Sequence, residues 1–264
     1  MEENVRDYIS LLFDGYKLKK QENRLYKSYN DIPKIIIKKY LDLVEKPTFT
    51  DLINDYKAKY IFCESRVETN ITREEQLGLG NVYDFIQKFD FDKDKFNVFI
   101  TTLMMHNKLY ANCGDGTFGG KLRESTAVLK DLNVEVCSPE ESKKIFNSYI
   151  PKSDYIFKKY NQGDIFGYIE DCIKLNVDLI KLQPFADGNK RTFRAMLNLL
   201  LKKLNIPPIY IEIEERDEYK KALIKAITEN DYDDIIQFYY YKICDAIITL
   251  DINRSKVSDN VKLI

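Results

Sequence analysis

Gln183-Pro184-Phe185-Ala186-Asp187-Gly188-Asn189-Lys190-Arg191-Thr192-Phe193-Arg194 packs an acidic residue, a Gly-Asn turn and two arginines three apart into one short segment. The apolar run that follows, to about Leu204, predicts a helix from Thr192. A helix start presents N–H groups without intrahelical partners and the positive end of the macrodipole, which together favour a phosphate. Asp187 offers a hard oxygen ligand of the kind Mg²⁺ takes while it bridges phosphates. Arg191 and Arg194 fall near one face of the helix and can fork onto phosphate oxygens.

Working outward, the chain reads as mostly helical. Residues 31–45 form an amphipathic segment stopped by Pro47, and Thr48 or Thr50 is placed to cap a longer helix running toward Glu68. Residues 72–89 and 93–111 continue the helical period. Gly114, Gly116, Gly119 and Gly120 then break it, so 114–128 reads as a loop or hairpin with Thr126–Val128 as a strand arm. Ser138-Pro139-Glu140-Glu141 is a helix start: a capping residue, proline at the first position, acids in the first turn. Residues 164–182 are apolar at helical spacing and deliver the chain to Gln183. Pro207-Pro208 interrupts, and helices follow near 215–228 and 231–250. No internal repeat or low-complexity linker is visible.

Composition bounds the partners. Among 264 residues, 41 basic and 42 acidic side chains leave a formal charge of −1, so the broad basic footprint of a nucleic-acid binder is missing. The five cysteines (Cys63, Cys113, Cys137, Cys172, Cys244) are odd in number and lack C-x-x-C spacing, which argues against a disulfide framework or a zinc site. His106 is the one histidine, so a histidine-ligated metal is close to excluded. An acidic first few residues and the lack of an 18-residue apolar run give the expectation of a cytoplasmic protein with no membrane partner.

The segment at 183–194 resembles the signature loop of the Fic (Fic/Doc) family, H-P-F-x-D/E-G-N-G/K-R-x-x-R. It agrees at Pro184, Phe185, Asp187, Gly188, Asn189, Lys190, Arg191 and Arg194, and departs at the first position, where Gln183 stands in place of the family's catalytic histidine. The resemblance implies an all-α helical bundle with a small β-hairpin flap and helical extensions at both ends. The division it suggests is an extension over 1–71, a core over 72–205 and a cap over 206–264. It implies ATP and Mg²⁺ as cofactors and transfer of AMP to a Ser, Thr or Tyr hydroxyl of a protein target. Asp187 would hold the metal. Phe185, Gly188, Asn189, Lys190, Arg191 and Arg194 would contact the nucleotide, and Gly120, Lys121, Leu122 and Arg123 would belong to a flap that docks the target by strand addition. Relatives also transfer UMP, phosphocholine or the γ-phosphate, so the transferred group stays open, as does self-association.

The same resemblance supplies a regulatory candidate. Glu64-Ser65-Arg66-Val67-Glu68-Thr69-Asn70 looks like a degenerate copy of an inhibitory pattern, S/T-x-x-x-E-G/N, with Glu68 at the glutamate and Glu64 at the Ser/Thr position. A carboxylate on Arg194 would compete directly with a triphosphate. Gln183 itself cannot act as a base, since an amide has no titratable proton near neutral pH. Losing a general base costs about 10²–10⁴-fold in rate. Three readings follow: an AMP-transferase of reduced activity, a nucleotide-sensing pseudoenzyme, or a hydrolase of AMP–protein linkages that uses Glu68. His106 reads as a packed helix residue rather than a stand-in base.

Overall fold

A computed structural model describes residues 31–43, 53–67, 71–114, 119–129 and 134–261. Ten α-helices are described: α1 (Asp31–Leu43), α2 (Ile53–Val67), α3 (Arg73–Lys88), α4 (Val98–Leu109), α5 (Pro139–Asn147), α6 (Lys158–Asn161), α7 (Ile165–Leu182), α8 (Asn189–Lys202), α9 (Arg216–Glu229) and α10 (Asp233–Val261). Two short strands, β1 (Val128–Leu129) and β2 (Val134–Glu135), pair antiparallel with Val128 opposite Glu135 and Leu129 opposite Val134. The expected all-α fold with a small hairpin is what the chain adopts.

Local chemistry explains the starts and stops. Thr72 and Glu75 form a reciprocal capping box on α3: the Thr72 hydroxyl accepts from the Glu75 amide, and the Glu75 carboxylate accepts from the Thr72 amide. Asn97 caps α4 and Ser138 caps α5, with Pro139 at its first position. α4 therefore begins at Val98 rather than near 93, because Asp90–Asp94 is tied into a turn in which the Asp90 amide donates to the Asp94 carboxylate. α8 begins three residues earlier than expected, at Asn189, because Gly188 in a left-handed conformation serves as its cap. The segment expected to carry the cap of α2, Thr48 and Thr50, lies outside the described residues.

α7 and α8 form an antiparallel hairpin at the centre of the molecule, and α3 and α4 close over α8. Every residue of α8 from Arg191 to Leu201 is buried, so its two arginines are carried into the interior with the apolar side chains around them. α3 crosses α4 very closely at Gly78. A Cβ there would sit 1.7 Å from the Leu109 carbonyl oxygen, so no larger residue fits. Ile36 and Ile37 of α1, the α7–α8 hairpin, and Ile235 to Ile248 of α10 belong to one continuous apolar core. Both flanking segments thus pack on the same core as the central one. All five cysteines are free thiols. No helix among the described residues is long and apolar enough to cross a membrane.

Candidate functional site

The loop between α7 and α8 is shaped by one strained residue and one side-chain belt. α7 ends at Gln183, which adopts φ 46°, ψ 57°, a left-handed conformation normally left to glycine at helix ends. Such a residue costs about 1–3 kcal/mol and persists only where its surroundings fix it. Here they do. The Gln183 side-chain Nε2 donates to the Ile180 carbonyl at 2.6 Å, Oε1 accepts from Asn189 Nδ2 at 3.1 Å, and the main-chain oxygen accepts from Arg123 Nε at 2.6 Å. Asn189 is the belt: Oδ1 accepts from the Phe185 amide at 2.9 Å while Nδ2 also donates to the Phe185 carbonyl at 2.8 Å.

This geometry revises several expectations. The side chain of Asn189, expected to cradle phosphates, is spent on the loop, which leaves only its backbone N–H facing the open end of α8. Phe185, expected among the nucleotide contacts, has no exposed surface. It stacks on the His106 ring at 3.8 Å and 9° and faces Phe193 on its other side, anchoring the loop in the core. Gly188 turns the chain: φ is 73°, and a Cβ would meet the Tyr110 hydroxyl at 2.7 Å. Asp187 stays outside, its side chain 63% exposed, with Oδ1 accepting from the Gly188 amide at 2.7 Å and Oδ2 3.3 Å from Arg191 Nη2.

Both signature arginines are buried and meet carboxylates from the N-terminal helices. Arg191 donates to Glu75 Oε1 at 2.6 Å and to the Tyr110 hydroxyl at 3.0 Å. Glu75 is thus shared between the cap of α3, through Oε2, and Arg191, through Oε1. Arg194 donates through Nε to Glu64 Oε2 at 2.8 Å, with the two side chains only 3% and 2% exposed. Glu64 Oε1 accepts a long bond from the Ile211 amide, 3.4 Å. The carboxylate seen on Arg194 is therefore Glu64, one helical turn before the expected Glu68, which lies outside the described residues.

His106, buried, bridges two elements: its Nδ1 accepts from the Gly120 amide at 2.9 Å, and Nε2 lies 3.0 Å from the Asp187 carbonyl oxygen. Those neighbours assign the neutral tautomer with the proton on Nε2. Burial drives its pKa down to about 4, so the ring stays neutral at physiological pH. Burial likewise pushes the Tyr110 phenol well above its usual range, against the pull of Arg191. Arg123, expected on the docking face of the flap, is buried instead, while Lys121 is exposed and Leu122 half-buried. Glu75 and Tyr110 were not singled out from the sequence. The Thr72-x-x-Glu75 spacing is a capping-box signal that went unread, and even so nothing local places that glutamate on Arg191.

Among the described residues no three His, Cys, Asp or Glu side chains gather as a metal site. One exposed carboxylate fits a metal held jointly with phosphates, the usual arrangement for Mg²⁺, rather than an all-protein cage.

A helical bundle whose central hairpin carries this loop, with a small flap beside it, is the architecture of the Fic/DOC family, and residues 101–201 match that family's model. That match places residues 101–201 of the chain in the Fic/DOC family. It is 30% identical over 156 residues to the protein adenylyltransferase Fic of Nematostella vectensis, covering 59% of this chain and 35% of that one. It is 24% identical over 150 residues to the protein adenylyltransferase fic-1 of Caenorhabditis briggsae, covering 56% and 28%. The chain thus spans about a third of the length of these curated relatives. The solved structure of Fic-1 from C. elegans superposes with a TM-score of 0.66 at 17% identity, covering 85% of this chain and 70% of that one. A Fic-domain signaling protein from Bacteroides thetaiotaomicron gives 0.65 at 15%, covering 82% and 94%. At such identities the superpositions establish the fold alone.

Proposed function

We propose that the signature loop binds Mg-ATP and that transfer of AMP from it to a protein Ser, Thr or Tyr hydroxyl is strongly slowed by Gln183. The observation that carries this is the condition of the Gln183 amide. Both its polar atoms are committed inside the loop, to Ile180 and Asn189, and neither can take up a proton. The two buried titratable rings beside the loop do not replace the missing base. His106 is neutral with both ring nitrogens engaged by the backbone, and the Tyr110 phenol is held protonated. Phosphate binding is supported by Gly188, which turns the loop, by the N-terminus of α8 beside it, and by the positive charge of Arg191, Arg194 and Lys190.

In this reading Asp187 holds Mg²⁺ together with the phosphates, and the ion neutralises their charge. Arg194 takes the outer phosphates once Glu64 yields it. The protein target docks on the flap around Gly120, Lys121 and Leu122, with β1 as the strand to be extended. The adenylyltransferase names of the relatives support AMP as the transferred group. Phosphoryl-type transfer depends largely on positioning and electrostatics, so a low residual rate is consistent with a missing base.

The locked amide also favours a second reading, a nucleotide sensor that transfers nothing. Label transfer from α-phosphate-labelled ATP decides between them, comparing the protein as it stands with Gln183→His, each also in a Glu64→Gln background, alone and with lysate. Calorimetry with Mg-ATP runs in parallel. The expected result is nucleotide binding by both and labelling about 10²–10⁴-fold faster with histidine. No labelling by the native chain at any time favours the sensor. Absence of Mg-ATP binding in the Glu64→Gln background would overturn the site assignment.

A further inference from the structure

We propose that Arg123 is a positioning residue that indexes the flap to the signature loop, so that a target docked on the flap is felt at the Gln183 peptide. Arg123 is 5% exposed, and its hydrogen bonds among the described residues all run to backbone carbonyls. Its amide donates to the Pro184 carbonyl at 2.9 Å and its Nε to the Gln183 carbonyl at 2.6 Å. Nη1 donates to the Ser125 carbonyl at 2.8 Å, and Nη2 to the Cys137 carbonyl at 2.5 Å. Ser125 precedes β1 and Cys137 follows β2, so one guanidinium pins both roots of the hairpin and ties them to the loop.

Chemistry makes this more than a staple. Burying a cation is costly, and among the described residues no carboxylate pairs with Arg123. Carbonyl oxygens in a fixed planar fork are what a guanidinium can satisfy and an ammonium cannot. The fork also lands on the one strained residue of the loop, Gln183 at φ 46°. At the other end of the loop, His106 spans from the Gly120 amide to the Asp187 carbonyl. The flap is therefore fastened to both ends of the 183–188 loop, once by Arg123 and once by His106. A shift of the flap must move the peptides that set the phosphate-binding turn, and ordering of that turn must in exchange order the flap.

The mechanical part stands without any assumed activity; its functional consequence rests on the Mg-ATP reading. Amide hydrogen exchange on the unliganded full chain tests the first part. Arg123→Gln removes the fork, Arg123→Lys retains the charge with one donor head, and Lys121→Ala is a control on the exposed flap. The expected result for Arg123→Gln is about tenfold faster exchange at Phe185 and Thr192, whose amides are bonded within the turn, with partial recovery in Arg123→Lys. Amides of α7 from Ile173 to Leu179 and the Lys121→Ala protein should keep native rates. Faster exchange confined to the flap, or spread equally through α7, would overturn the coupling. Should Arg123→Gln fail to fold, Arg123→Lys carries the test on the same amides. Mg-ATP is then added to the native protein. Binding that slows exchange over 119–129 in the native chain but not in Arg123→Lys supports the coupling, and binding without flap protection counts against it. If no nucleotide binds, the Mg-ATP reading fails, while the unliganded exchange rates still judge the tie.

Discussion

Replacing Glu64 by Gln should weaken the resting protein and strengthen its hold on nucleotide. The Glu64–Arg194 contact is 2.8 Å long and almost fully buried, so it is little screened by solvent. Removing one partner of such a pair costs about 3–5 kcal/mol when nothing replaces it. Glutamine keeps the shape and one acceptor, which reduces the loss to about 1.5–3 kcal/mol, the range for a hydrogen bond to a charged group. Urea unfolding of the unliganded variant should show that loss as a lower midpoint at unchanged slope. With saturating Mg-ATP the order should invert: the variant gains more from nucleotide than the native chain, because no carboxylate must be displaced from Arg194 first. A matching Arg194→Gln protein should lose stability and nucleotide affinity together, and the double variant should lose less than the sum. Unchanged stability in Glu64→Gln, or equal nucleotide affinity in variant and native protein, would refute the competition between carboxylate and phosphate.

Two further outcomes follow from single distances and one titration. Gly188→Ala forces a side chain into φ 73° and against the Tyr110 hydroxyl, so it should destabilise by about 1–3 kcal/mol in urea titrations and weaken Mg-ATP binding; a neutral effect would mean the turn is not as tight as it looks. His106 titrates near 4 in the folded chain against 6.5 when exposed, so the unfolded chain binds more protons between those values. Its contribution is complete above about pH 6.5 and is lost as pH falls toward 4, amounting to about 3 kcal/mol. His106→Gln should remove that part of the slope, and identical slopes in both proteins would show that the histidine is not buried as described.

What the sequence made legible was local. Ser138 with Pro139, the glycine cluster before the hairpin and the apolar spacing of 164–182 each fix their element through neighbours within a turn. The signature loop was legible because its residue types encode a turn and a charge together. The partners of those charges were not, since Glu75 lies 116 residues from Arg191 and Glu64 130 residues from Arg194. Residue type also misled where a polar or aromatic side chain was turned inward. Phe185 became a core anchor, Asn189 a belt and Arg123 a tether, because the loop needed internal partners before it could present anything to a ligand. Glu64 on Arg194 was not anticipated, because the pattern at 64–70 drew the reading to Glu68, which lies outside the described residues.

The two buried ion pairs are not equivalent, and their difference says which arginine is free to serve a phosphate. A buried guanidinium needs acceptors at all times, and Arg191 and Arg194, unlike Arg123 with its backbone carbonyls, take theirs from carboxylates, which stand where phosphate would when no nucleotide is bound. Glu75 serves Arg191 while its other oxygen holds the Thr72 amide and thereby the start of α3; pulling it from Arg191 would also loosen that helix end. Arg191 is further held by Tyr110, which in turn packs against Gly188. Glu64 is less firmly engaged elsewhere, since its other oxygen accepts one long bond from Ile211. A triphosphate arriving at the loop therefore meets less resistance at Arg194 than at Arg191. In the proposed function, Arg194 exchanges its carboxylate for phosphate while Arg191 stays paired with Glu75 and keeps the turn, Tyr110 and Asp187 in register.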